Sequence, residues 1–177
     1  MKLRDEVEIG ATAQQVWRSL IDLDRAPEFV PYLRHIEHLD DAGVVESSPA
    51  ASGATPLGIG SRIRLVLGVT DTQSVSVEAK VVGLDPPLRL RVSGEHEGHG
   101  VEAVIEWRLE EKAPAPSLSR PSTILRQNVD LGFRSMLMRI GAKAMLGRAE
   151  RELAVGLQRF KEIVEHDAAE ADEAVTR

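Results

Sequence analysis

The 177-residue sequence predicts an α+β fold: a curved antiparallel sheet of about six to seven strands wrapped around one long C-terminal helix, with two short helices after the first strand. Three observations predict it. Apolar residues recur with a period of two through most of residues 33–130. The period changes to the helical one over a short stretch before that region and a long one after it. An antiparallel sheet with one apolar face needs a cover, and only the final segment is long enough. At about 1.5 Å per residue it would span roughly 50 Å if straight.

Each element has its own signature. Leu3 to Ile9 alternates as a strand, with Leu3, Val7 and Ile9 on one face and Arg4, Glu6 and Glu8 on the other; Asp5 is the exception on the apolar side. Thr12-Ala13-Gln14-Gln15 reads as a capping box, opening a helix with an apolar stripe of Val16, Trp17, Leu20 and Ile21. Asp24 is a candidate second N-cap, followed by a short helix from about Ala26 to Tyr32 with Pro27 in its first turn, where a missing N–H costs nothing. Leu33 to Leu39 and Val44 to Glu46 read as a strand or broken strand, and Ser47 to Gly58 as a small-residue loop. Ile59 to Leu67, Gln73 to Leu84, Leu88 to Glu95 and Val101 to Glu110 all alternate. Asp85-Pro86-Pro87 is a turn between the second and third of these, and Glu97-Gly98 is a two-residue hairpin turn between the third and fourth. Lys112 to Pro121 is a second loop, and Ser122 to Leu131 a strand with poorer alternation.

From Gly132 to Glu165 the apolar positions Met138, Ala142, Met145, Ala149, Leu153, Leu157, Phe160 and Val164 fall near one helical face. Gly141, Gly147 and Gly156 each cost about 1 kcal/mol relative to Ala, so they mark a kink or room for something bulky. The chain divides into one domain over residues 1–166 and a frayed acidic tail over 167–177.

Composition narrows the function. Cysteine is absent, which removes disulfides, thiolate metal sites and thiol nucleophiles. Aromatic residues are 3% and the net charge is −6; both oppose nucleic acid as a partner, which needs stacking platforms and phosphate-neutralising cations. The N-terminal ten residues are too charged for a signal peptide, and a cytoplasmic location is expected.

EVEIGATAQQVWRSLIDLDRAPEFVPYL (6–33), GLDPPLRLRVSG (83–94) and RELAVGLQRFKEIVE (151–165), in this order, resemble the START-like superfamily (SRPBCC). That superfamily includes the birch-pollen-allergen fold, polyketide cyclases and coenzyme-Q-binding proteins. The resemblance carries the V-W-x-x-L helix at Val16 to Leu20, the Asp22 to Asp24 link and the Pro27 to Tyr32 segment, and covers almost the whole chain. It implies a helix-grip fold with a deep apolar cavity, and no single activity.

Strand parity then assigns the cavity wall: Ile63, Leu65, Leu67, Val75, Val77, Ala79, Val81, Leu90, Val92, Ala103, Ile105 and Trp107, with Met138, Met145, Leu153 and Met136 from the helix. Without the resemblance the same residues read as a filled core. Methionines at 136, 138 and 145 suit an adaptable apolar surface. Gln127, polar among Leu125 and Val129, is placed to orient a ligand carbonyl. Trp107 is the one aromatic residue expected on the wall; Trp17, Phe29, Tyr32, Phe133 and Phe160 fall on helices or near their ends. An aliphatic wall favours a flexible ligand over a flat one.

Chemistry-bearing candidates are few. His96 and His99 face each other across the hairpin on inward parity and can shuttle a proton; solvated turn histidines are the alternative. A metal needs at least a third ligand, and none converges, so neither metal nor cofactor is expected. Tyr32, the single phenol, is a candidate donor. His35 and His38 fall on opposite faces of a strand. Arg62, Arg64, Arg89, Arg91 and Arg108 lie on outward parity, and Arg134, Arg139, Lys143 and Arg148 make the first half of the helix basic, suited to transient contact with an anionic membrane surface.

The sequence therefore points to binding or transport of an apolar small molecule, such as a lipid, an isoprenoid or a polyketide-like compound. Residues 47–58 and 27–32 form the expected gate. A polyketide cyclase/dehydrase-type enzyme using His96, His99, Gln127 and Tyr32 is the alternative, and a protein-interaction module using the surface arginines is a third. Oligomeric state is not legible.

Overall fold

The computed structural model describes residues 1–39, 57–68, 72–96, 100–113 and 121–175, with the side chains of 136–146 and 174–175 excepted. The chain runs β1 (Lys2–Ile9), α1 (Ala13–Ile21), α2 (Ala26–Phe29), β2 (Leu33–Leu39), β3 (Arg62–Gly68), β4 (Ser74–Asp85), β5 (Arg89–His96), β6 (Val101–Lys112), β7 (Ser122–Phe133) and α3 (Met136–Val175). The seven strands form one antiparallel sheet in the order β1-β7-β6-β5-β4-β3-β2. The first strand pairs with the last, and β1 and β2 are its edges. No helix among the described residues is long and apolar enough to cross a membrane.

The helix signals act as their chemistry requires. Thr12 caps α1: its hydroxyl accepts from the Gln15 N–H at 3.2 Å, and the Gln15 side chain accepts from the Thr12 N–H at 2.9 Å. Both reciprocal bonds of the capping box are present. Val16, Trp17 and Leu20 are buried. Helix α2 is shorter than the sequence suggests and ends at Phe29. Its N-cap is Arg25, which makes no side-chain capping bond, so Asp24 does not cap it. Phe29 meets Phe160 of α3 edge-on, with ring centroids 4.7 Å apart.

Three features depart from the sequence reading. A β-bulge between Val81 and Gly83 lets both Val81 and Leu84 fall on the concave face, where they oppose Val92 and Leu90; period-two reasoning cannot place a bulge. Phe133 is the last residue of β7, and its register with Val101 puts it on the concave face beside the Ala103–Leu131 pair. The wall therefore carries two aromatic residues by parity, Trp107 and Phe133. Helix α3 runs on past Glu165. It continues to Val175, because Ala168 is buried in the core and Asp167 pairs with Arg25 at 2.6 Å. The segments at Val44 to Glu46 and Glu97-Gly98, most of the two loops, and His99 lie outside the described residues.

Helix α3 packs along β1 and meets α1 and α2. Close approach at one point demands glycine: a Cβ on Gly156 would lie 2.8 Å from the Phe29 carbonyl oxygen and 3.2 Å from Pro31 Cδ. This is the room that the sequence foresaw in the helix, filled by the backbone of the strap from α2 to β2. Gly147 has no such neighbour.

Candidate functional site: the concave face of the sheet

The register places nearly all the predicted wall on one face. Leu65 opposes Val77, Leu67 opposes Val75, and Ile63 opposes Ala79. Val92 opposes Val81 and Ile105, and Leu90 opposes Trp107. Trp107 in turn opposes Gln127.

Burial along this face changes the same way from β3 to β7, whereas in β1 both Leu3 and Ile9 are buried and Val7 between them is half-buried. At one end Ile9, Leu125, Leu109, Leu90, Val81 and Ile63 are buried in the core, under α1 and the Leu157, Phe160 and Val164 side of α3. Toward the other end the same parity is only half-buried: Val129 and Leu131 in β7, Ile105 and Ala103 in β6, Val77 and Val75 in β4, Leu65 and Leu67 in β3. The concave face is thus sealed at one end and half-open at the other. The half-open end is where β7 leads into α3. Met136, Met138 and Met145 belong to that part of the helix, and their side chains lie outside the described residues.

The chemistry-bearing candidates are distributed differently. His96 follows inward parity, opposite Val101, and is half-buried. His35 and His38 stand on opposite faces, as expected: His35 lies 3.1 Å from Glu37 Oε1, while His38 is inward opposite Ile63. Tyr32 sits on the outer surface, 51% exposed. Its hydroxyl donates to Glu152 Oε1 at 2.6 Å and accepts from Arg148 Nη2 at 2.7 Å, with the Arg148 guanidinium 5.8 Å from the ring centre. The Glu152 carboxyl is held below its usual range by the bonds from Tyr32 and Arg148. Tyr32 also has φ of 63°, a left-handed conformation that costs a non-glycine residue about 1–2 kcal/mol. The phenol clamps the strap to α3, outside the concave face.

The outward arginines make a ladder of ion pairs. Arg62 and Arg64 reach Glu78 at 3.0 and 3.3 Å. Arg89 and Arg108 converge on Glu106, and Arg126 bridges Glu6 and Glu110 at 2.9 and 2.6 Å. Glu106 lies mostly buried beneath its partners. Burial pushes its carboxyl up, but the Arg89 and Arg108 bonds prevail and hold it below its usual range. Arg134 pairs with Glu95 and Glu102. Among the described residues, His166, Asp167 and Glu170 bring three potential metal-ligating atoms within 4.8 Å. They stand on the surface of α3 with Asp167 already bound by Arg25, away from the concave face.

Sequence reasoning passed over one polar residue on the wall. Asp5 opposes Gln127 in the β1–β7 ladder, on the face of Leu3 and Ile9. The available signal was its standing as the single break in the alternation of β1.

Comparison with known proteins agrees with this architecture. Residues 9–158 match the family model described as "Polyketide cyclase / dehydrase and lipid transport". No curated protein matches the chain by sequence. Among solved structures, the Zhui aromatase/cyclase from Streptomyces sp. R1128 superposes with a TM-score of 0.61 at 17% identity, covering 93% of each chain. A START superfamily protein from Mycobacterium smegmatis gives 0.59 at 15% identity, covering 96% of this chain and 98% of the other. Truncated norcoclaurine synthase from Thalictrum flavum gives 0.59 at 13% identity, covering 93% and 92%. At such identities the likeness is one of fold, the START-like helix grip. With the family model spanning most of the chain, the protein belongs to the polyketide cyclase/dehydrase and lipid transport family.

Proposed function

We propose that the protein binds or carries an apolar small molecule, a lipid, isoprenoid or polyketide-like compound, in the space between the concave face and α3. The observation that supports this is the burial gradient: aliphatic side chains on four strands, β3, β4, β6 and β7, stay half-buried toward one end, while the same faces are sealed at the other. Covering such a surface with an aliphatic ligand contributes about 25 cal/mol per Å² of apolar area removed from water, so few polar contacts are needed. Native mass spectrometry of freshly purified protein tests it. The expected spectrum contains a species heavier than the polypeptide by one small molecule, which organic extraction releases. A spectrum of bare polypeptide, together with no thermal stabilisation by long-chain alcohols, overturns it.

A cyclase or dehydrase activity is the second reading, favoured by the inward parity of His96. In that case the cavity preorganises a flexible chain and the imidazole moves a proton. His96→Ala would then abolish turnover of a poly-β-ketone substrate while leaving its affinity intact. Loss of affinity without any turnover in the parent protein would speak for the carrier.

A further inference from the structure

Asp5, Gln127 and Trp107 form one cross-strand row over the adjacent strands β1, β7 and β6. Directly opposed residues place their Cβ atoms about 4.5–5.5 Å apart, so Gln127 is the immediate neighbour of both Asp5 and Trp107. The next row toward the sealed end is Val7, Leu125 and Leu109; the next toward the half-open end is Leu3, Val129 and Ile105. The polar row therefore lies, in β7 and β6, between the closed core at Leu125 and Leu109 and the half-open wall at Val129 and Ile105, while in β1 it is flanked by the buried Leu3 and the half-buried Val7; all three members are half-buried.

Its hydrogen-bonding capacity is largely unspent. One Asp5 oxygen accepts from the Glu6 N–H at 2.8 Å. Among the described residues, no fully buried side-chain nitrogen or oxygen lacks a partner. The Gln127 amide and Trp107 indole bond to no described residue, so their polar atoms face space that a solvent or ligand atom can reach. Protection of a sheet edge accounts for Asp5 alone; it does not account for an amide and an indole N–H in the two strands beside it.

We infer that this row is the polar floor of the ligand space and selects an apolar ligand ending in a hydroxyl. The inference rests on the apolar-ligand reading above. An ionised carboxylate only accepts hydrogen bonds, an indole N–H only donates, and an amide does both. A hydroxyl seated between β1 and β7 donates to Asp5 while accepting from Gln127, with the Trp107 N–H flanking it from β6. An ether or ketone offers Asp5 no proton, and a carboxylate is repelled by it.

The test compares farnesol, farnesyl methyl ether and farnesoic acid by calorimetric titration of the full chain at neutral pH. A hydrogen bond to a charged group should favour the alcohol over the ether by roughly tenfold or more, with the acid binding most weakly. Asp5→Leu should bring alcohol and ether to near parity while preserving ether affinity. Asp5→Asn keeps the side chain's size in case the leucine variant fails to fold, and it should lift the disadvantage of the acid. Equal affinity for alcohol and ether in the parent protein overturns the polar floor and leaves the apolar space standing, as does an alcohol preference unchanged in both variants. Failure of all three probes to bind overturns the floor and the apolar-ligand reading together.

Discussion

Gly156 occupies the interior of α3, where alanine would ordinarily stabilise a helix by about 1 kcal/mol. Here the added Cβ would meet the Phe29 carbonyl at 2.8 Å, closer than backbone can tolerate. Overpacking of this kind costs about 1–3 kcal/mol, so Gly156→Ala should be net destabilising. A lowered urea midpoint with unchanged slope is the expected result. Thr12 offers the simpler case. Removing its capping hydroxyl by Thr12→Ala should cost about 1 kcal/mol, read from the same denaturation curves. The two residues also differ in how far sequence reveals them. Thr12 and Gln15 announce a cap by spacing alone, because the motif is local. Gly156 signals only that something comes close; the Phe29 carbonyl that does so is contributed from 127 residues earlier in the chain. Asp5 is similar: its break in alternation is visible, but only the register brings it beside Gln127.

Strands and the start of α1 were legible because their stabilising pattern is periodic or short-range. The bulge at Val81 to Gly83 was not, since one extra residue leaves no distinctive composition. Nor was the end of α3, whose small acidic residues have the composition of a frayed terminus. The tail is held by partners elsewhere, with Asp167 on Arg25 and Ala168 in the core. Truncation after His166 should therefore lower thermal stability measurably, whereas a frayed tail would be lost without effect. The outer ladder gives the sheet an acid limit. Glu106 and Glu78, held by their arginines, and Glu8, which accepts from the Ser122 hydroxyl at 2.7 Å and the Lys112 ammonium at 3.0 Å, all titrate below their ordinary 4.5 in the folded chain. Their contribution is complete above the unfolded value and disappears as pH falls through the lower folded value. Stability should consequently decline below about pH 4.5, and Glu106→Gln should flatten that decline. Urea midpoints taken at neutral and acid pH give the comparison.

At the scale of the molecule, one sheet serves two purposes along its strands: it completes a core at one end and leaves an aliphatic wall half-covered at the other. A ligand that binds only the folded chain stabilises it by mass action, by about 2.7 kcal/mol at a hundredfold excess over Kd. A rise in Tm that follows the logarithm of farnesol concentration is therefore expected. The sheet is also electrically two-sided. Its outer face carries the paired arginines and glutamates, whereas its inner face presents aliphatic rows broken by the Asp5–Gln127–Trp107 row and by His38 and His96. Ionic strength acts on these faces differently. Salt screens exposed charges over about 10 Å at 0.1 M, and strengthens apolar burial when the ion is excluded from the surface, as sulfate is. A salt that only screens should thus loosen the outer ladder and leave the hold on a neutral ligand unchanged, whereas sulfate should tighten the core and that hold together. The choice of salt then separates what the outer face contributes from what the inner face contributes, without altering a residue.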